Sequence, residues 1–151
     1  MTPRGMYFED FEIGQTVVTA ARTITEADIV NFAGLSGDFN YLHIDAEAAK
    51  ATPFGARVAH GMLVASIATG LAVQQGFIEG TTLAFRELTW RFTRPVFIGD
   101  TVHVEITIAG LKPMPRLGGG LVIFNAQVLN QKGEVVHKGE WQMLIKSRPQ
   151  E

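Results

Sequence analysis

His60-Gly61-Met62-Leu63-Val64-Ala65-Ser66-Ile67-Ala68-Thr69-Gly70-Leu71-Ala72-Val73 is apolar on nearly every side and lined with small residues. A helix with that pattern is enclosed by other structure rather than laid on a surface. Its apolar run, Met62 to Val73, covers 12 residues and includes Ser66, Thr69 and Gly70. A membrane span needs about 20, so the segment predicts one buried core helix.

The period changes to two after Gly80. Leu88, Trp90 and Phe92 alternate with Thr89, Arg91 and Thr93; Val102, Val104, Ile106 and Ile108 alternate with Thr101, His103, Glu105 and Thr107. Val122, Phe124, Ala126 and Val128 mark a third strand, and Trp141, Met143 and Ile145 a fourth. Such alternation predicts half-buried antiparallel strands with one wet face. Gly99-Asp100 and Asn130–Gly133 read as turns, and Pro113, Pro115 and Gly118–Gly120 as a flexible connection. Upstream, Gln15 to Ile24 reads as a first strand. Thr25-Glu26-Ala27-Asp28 starts a helix that should stop near Gly34, and Asp45 caps a short one ending before Pro53. Strand, helical insertion, buried helix and four strands fit one antiparallel sheet wrapped round one long helix. That is an α+β architecture, with residues 1–151 as a single domain.

The totals narrow the function. The chain has 151 residues, is 46% hydrophobic and 19% charged, and carries a formal net charge of -2. That is an ordinary globular composition, with no electrostatic case for nucleic acid or an anionic membrane surface. There is no cysteine, which excludes disulfides, thiol nucleophiles and thiolate metal sites. The first ten residues contain no apolar run of the signal-peptide kind, and a cytoplasmic location is expected.

Chemistry concentrates in Leu35-Ser36-Gly37-Asp38-Phe39-Asn40-Tyr41-Leu42-His43, between two helical patterns. A carboxylate and an imidazole that reach one water molecule form a general acid/base pair, which points to Asp38 and His43. The bland alternative is a plain turn, because Gly37-Asp38 and Asn40 are ordinary turn residues. No metal is expected: His43, His60, His103 and His137 form no tight ligand cluster in sequence. His103 lies on the wet phase of its strand, and His137, just past a hairpin turn, is expected in solvent. His60 reads as structural. Gly61 is different, because first-turn amides have no intrahelical partner and a residue without a side chain lets a carbonyl come close. That makes it a candidate oxyanion donor. Ser66 could add a hydroxyl, although a mid-helix serine usually bonds back to its own helix.

The stretch Ser36 to His43 closely resembles the signature of MaoC-like dehydratases, the (R)-specific enoyl-CoA hydratase family, which reads roughly G-D-x-N-P-[LIV]-H. Tyr7–Phe11, Thr52-Pro53-Phe54-Gly55, His60-Gly61-Met62 and Pro95–Asp100 match as well, so the likeness covers about the whole chain. The resemblance implies a hot-dog fold with a helical overhang holding Asp38 and His43. It also implies a homodimer with the active site near the subunit interface. By matching position, Asp38 and His43 become the catalytic pair, Gly61 the oxyanion donor, Asn40 a residue holding the loop, and Ser66 a neighbour of the aspartate. One position departs: Tyr41 stands where the family usually has proline, leaving loop geometry and substrate shape open.

The reaction implied is reversible hydration of a trans-2-enoyl-CoA to an (R)-3-hydroxyacyl-CoA, with no cofactor beyond the coenzyme A of the substrate. Arg86, Arg91, Arg94, Lys112 and Arg116 are the pool from which its phosphates could be met, and none is assigned. A hot-dog thioesterase is the nearest rival, weakened because Gly61 to Ile78 has no acidic residue. A non-catalytic acyl-CoA-binding module is the rival from another class.

Overall fold

The computed structural model describes residues 4–150. β1 (Thr16–Val18) and β2 (Arg22–Thr23) precede three helices, α1 (Glu26–Ser36), α2 (Tyr41–Ile44) and α3 (Ala46–Lys50). Next comes α4 (Gly61–Gln74), then β3 (Thr82–Phe92), β4 (Thr101–Met114), β5 (Gly119–Leu129) and β6 (Val135–Lys146). The antiparallel sheet runs β1-β4-β5-β6-β3, with β2 also paired to β4. It wraps α4 in the hot-dog arrangement, an α+β fold.

The apolar alternation places the core as expected on three strands. Val102, Val104, Ile106 and Ile108 of β4, Val122, Phe124, Ala126 and Val128 of β5, and Trp141, Met143 and Ile145 of β6 are all buried. They meet Leu63, Val64, Ile67, Ala68, Leu71 and Ala72 of α4 in one cluster. Phe124, fully buried in it, is edge-on to Phe11 and Phe77 at centroid distances of 5.8 and 5.9 Å. Burying an aliphatic or aromatic side chain of this size contributes roughly 1.5–3 kcal/mol.

Two strand expectations need correction. Leu88 and Phe92, which the alternation puts on a buried face, are 44% and 53% exposed. β3 is the last strand of the sheet and is bonded only to β6, so among the described residues nothing covers its outer part. Likewise Pro113 and Gly118–Gly120 do not form a flexible link. The β4–β5 ladder continues to Met114↔Gly119, closed by a 3-10 turn at Pro115–Leu117. A side chain at Gly119 would overlap the carbonyl oxygen of Ile145, so glycine is there to let two strands approach.

Other differences are smaller. α4 is open along one stripe, with Met62 54% and Val73 48% exposed. The first strand breaks into β1 and β2 at Thr19, whose hydroxyl accepts the Val104 amide. α1 runs past Gly34 to Ser36, where Gly37, at φ 76°, supplies the left-handed cap.

Gly139 of β6 tests how tightly the sheet is built. A Cβ there would overlap the Thr89 carbonyl oxygen and lie 2.7 Å from the Trp90 ring. Backbone cannot swing aside as a side-chain end can. Gly139→Ala is therefore expected to cost at least about 3 kcal/mol of unfolding free energy. Urea denaturation checks it; a loss under 1 kcal/mol would contradict the packing described.

Candidate active site

The overhang is fixed by local hydrogen bonds. Thr25 and Asp28 form the capping box of α1, and Asp28 also pairs with Arg22 at 2.6 Å. After the Gly37 cap the chain turns through Asp38, whose amide donates to Ser36 Oγ and whose carboxylate accepts the Asn40 amide. Asn40 in turn caps α2, its side-chain oxygen accepting the Leu42 amide at 3.2 Å. Asn40 thus ties the turn to the start of α2.

Tyr41 is the first residue of α2, a position where proline is well accommodated because its amide has no helical partner. Asn40 before it has φ -56° and ψ 137°, the extended conformation that a following proline demands. The loop thus already has the shape proline would impose. Tyr41→Pro is expected to raise stability by about 0.4–1 kcal/mol and leave turnover within twofold. Thermal melts and initial rates check it.

α2 presents His43 to a cleft of about 770 Å³, largely apolar, whose wall includes Phe32, Asp38, Leu42, Phe54, Val58, His60, Gly61, Met62, Phe92 and His137. His43 Nδ1 lies 2.7 Å from the Val58 carbonyl oxygen. A carbonyl only accepts, so Nδ1 carries the proton and Nε2 keeps a free lone pair. That Nε2 is 3.9 Å from an Asp38 carboxylate oxygen. The gap is too long for a direct hydrogen bond and suits a bridging water. The Asp38 side chain is 51% exposed and that of His43 12%.

Two residues that sequence reasoning did not place in the site hold this pair. His60 stacks on His43 with ring centroids 3.8 Å apart and 24° between planes. Its Nε2–H donates to the Asp38 carbonyl at 2.9 Å, so one buried ring positions both members. Arg57 donates from Nε to the His43 carbonyl and from Nη1 to Glu26, tying α2 to α1. Arg57 lies in no matched segment, and His60, although it belongs to the matched His60-Gly61-Met62, shows nothing in sequence of its stack on His43; only the fold brings them there.

The sequence expectation that the histidines form no cluster is also corrected: Asp38, His43 and His60 lie together, with one donor atom of each within 4.8 Å of the others. Imidazole lone pairs lie in the ring plane, and stacked rings point theirs along nearly parallel planes rather than at one ion. The trio therefore suits acid–base chemistry better than metal binding.

Gly61 opens α4 beside this pair, and its amide has no partner among the described residues. A Cβ on it would come within 2.6 Å of the Phe92 ring, so the bare backbone is a packing requirement as well. Ser66 is elsewhere. Its hydroxyl donates to the Met62 carbonyl at 2.7 Å, and it lines a separate groove with Phe32, Leu35, Leu63 and Gly70. The structure does not bring it to Asp38. Of the basic pool, Arg94 alone lines the cleft, and it pairs with Glu134 at 3.2 Å.

His103 is partly exposed as expected, but His137 is not in solvent. It is 2% exposed and accepts the Trp90 indole N–H at 2.9 Å. The hairpin turn ends at Glu134, and three residues of strand suffice to carry position 137 under the sheet. Burial pulls its pKa down from 6.5 to about 4. The unfolded chain therefore binds the extra proton first. Stability from this group is whole above pH 6.5 and falls as the pH drops towards 4, by at most about 3 kcal/mol. Chemical denaturation from pH 7 to 4 should show that fall in the wild type and a flatter curve in the Trp90→Phe/His137→Leu variant.

The family described as MaoC like domain matches residues 10–118. The chain belongs to the MaoC-like dehydratase family. It is accordingly a hydro-lyase. It is 37% identical over 142 residues to the (R)-specific enoyl-CoA hydratase of Rhodospirillum rubrum, covering 94% of this chain and 93% of that one. It is 45% identical over 105 residues to Protein MaoC of Klebsiella aerogenes, covering 70% of this chain. This MaoC-like chain spans only about a third, 31%, of that relative. Among solved structures, the MaoC-like dehydratase from Rhodospirillum rubrum superposes with a TM-score of 0.88 at 30% identity, covering 97% of this chain and 100% of that one. Among the described residues no helix is long and apolar enough to cross a membrane.

Proposed function

We propose that this protein hydrates a trans-2-enoyl-CoA reversibly to an (R)-3-hydroxyacyl-CoA. The observation that carries the reading is the arrangement around His43. Its Nε2 lone pair is directed by the Val58 carbonyl, and it faces Asp38 across a water-sized gap beside the free Gly61 amide. Two acceptors separated in this way hold one water by its two hydrogens. An imidazole is the stronger base of the two kinds of group, so His43 takes the water's proton as the oxygen bonds to the β-carbon. The negative charge of Asp38 steadies the imidazolium. Electrons move from the carbon–carbon double bond onto the thioester oxygen, where the Gly61 amide and the N-terminal end of α4 stabilise the enolate. The enolate collapses as the α-carbon takes the proton back from His43, so one water is added and every group is restored.

A homodimer completes this reading. β3 has an unpaired edge, and Leu83, Phe85, Leu88 and Phe92 along it are exposed. An apolar edge of that length is covered in a stable protein, and a second copy is the occupant its family suggests. Sedimentation should give twice the chain mass.

The test of the reaction is spectrophotometric. Loss of enoyl absorbance without free thiol, with an (R) product on chiral analysis, is expected. Thiol release would instead make the protein a thioesterase.

A further inference from the structure

Among the polar groups of the cleft wall that take no part in the proposed reaction is His137. His137 lies on the face of β6 that also carries Trp141, Met143 and Ile145, and it borders the cleft. Because its Nδ1 accepts the Trp90 indole N–H, the ring's proton sits on Nε2. That Nε2 has no partner among the described residues. Nor is it one of the sealed, unpartnered atoms, which are His60 Nδ1 and Thr81 Oγ1. The ring that carries this N–H borders the cleft, and the atom is not among the sealed ones.

Its place in the cleft is set by Phe92. The Phe92 ring packs over the Cα of Gly61 and meets the His137 ring edge-on at 5.0 Å, so His137 stands one aromatic ring away from the oxyanion amide. Trp90, itself stacked on buried Trp141 at 5.8 Å, locks the tautomer and orientation. An oriented donor in a mostly apolar wall favours a ligand that sets an oxygen against it over one that displaces its solvent and offers no acceptor.

We propose that His137 is a specificity-determining residue, whose Nε2–H donates a hydrogen bond to a neutral oxygen of the thioester substrate remote from the reacting carbons. This rests on the acyl-thioester reading above and adds to it a polar subsite. The oxygen belongs to a hydroxyl or carbonyl of the acyl chain or to the outer of the two pantetheine amides, the one that an N-acetylcysteamine thioester lacks. A carboxylate fits less well, since burial holds the ring uncharged down to about pH 4 and it offers no countercharge. Sites built to bond a substrate oxygen discriminate strongly against analogues that lack it.

The test uses the full chain and three probes: a straight-chain enoyl-CoA, the same chain with a terminal hydroxyl, and the straight-chain enoyl thioester of N-acetylcysteamine. The variant is Trp90→Phe/His137→Leu, because removing both partners of a buried hydrogen bond disturbs the fold less than orphaning one. His137→Gln, which keeps an amide donor, serves as rescue. If the acyl chain supplies the oxygen, kcat/KM for the hydroxylated probe falls about tenfold or more in the double variant while the plain probe changes less than twofold. If pantetheine supplies it, KM rises about tenfold for both CoA thioesters, with kcat kept, and not for the truncated one. His137→Gln recovers most of either effect. Equal changes on all three probes, or none, overturn the proposal. A wild type inert on every probe overturns the functional reading itself, and this inference with it.

Discussion

Asp38→Asn is expected to lower kcat/KM on an enoyl-CoA by about three orders of magnitude, within the range that a positioned acid–base group contributes. The fold should survive. Asparagine keeps the side-chain oxygen that accepts the Asn40 amide, and the backbone carbonyl bonded by His60 is unaffected. What is lost is the charge that holds the water and steadies an imidazolium 3.9 Å away. His43→Gln should be equally severe, because it removes the lone pair at Nε2. The two changes act on one water, so the double variant should be no worse than the poorer single one. Initial rates and melting curves on all three proteins check this. A value for Asp38→Asn within tenfold of wild type would remove Asp38 from the mechanism.

Gly61→Ala should be the next largest loss, about 10²–10³ in kcat with little change in KM, as for deletion of one oxyanion donor. The added methyl stands where a thioester oxygen must approach the amide, and it lies 2.6 Å from the Phe92 ring. That collision also predicts about 1–3 kcal/mol of destabilisation. The two effects can be separated. Phe92 is more than half exposed, so Gly61→Ala/Phe92→Leu should relieve the clash and recover most of the stability. Activity should stay low. Recovery of activity together with stability would show that Gly61 matters only for packing.

The supports of the pair explain its geometry. His60 and Arg57 touch the backbone of Asp38 and His43 respectively, and the His60 ring adds the stack. They act on position rather than on protons.

The local sequence determined most of what short-range physics controls. Alternation at period two located the core faces of β4, β5 and β6. The Thr25 box and Asp45 specified where two helices begin, whereas Asn40 read as a turn residue and its capping of α2 appears only in the structure. The spacing of Asp38 and His43, with a bare Gly61 heading an apolar helix, marked the site, and resemblance to a family gave those residues roles. These features depend on neighbours within a few positions, so they are legible in a single chain.

What only the tertiary structure decided depends on neighbours far along the chain. Residues 43 and 60 are 17 positions apart, and nothing in their spacing says that their rings stack. His137 looked like solvent by its distance from a turn, and it is buried because β6 carries it under Trp90 of a strand about 47 positions earlier. Leu88 and Phe92 have the alternation of a core strand and lie exposed because β3 closes the sheet with no neighbour beyond it. Ser66 faces a different groove from Asp38 for the same kind of reason: helix rotation is settled by packing. Burial, tautomer and the water-sized gap between Asp38 and His43 are properties of long-range contacts, and those exist only once the sheet has closed round α4.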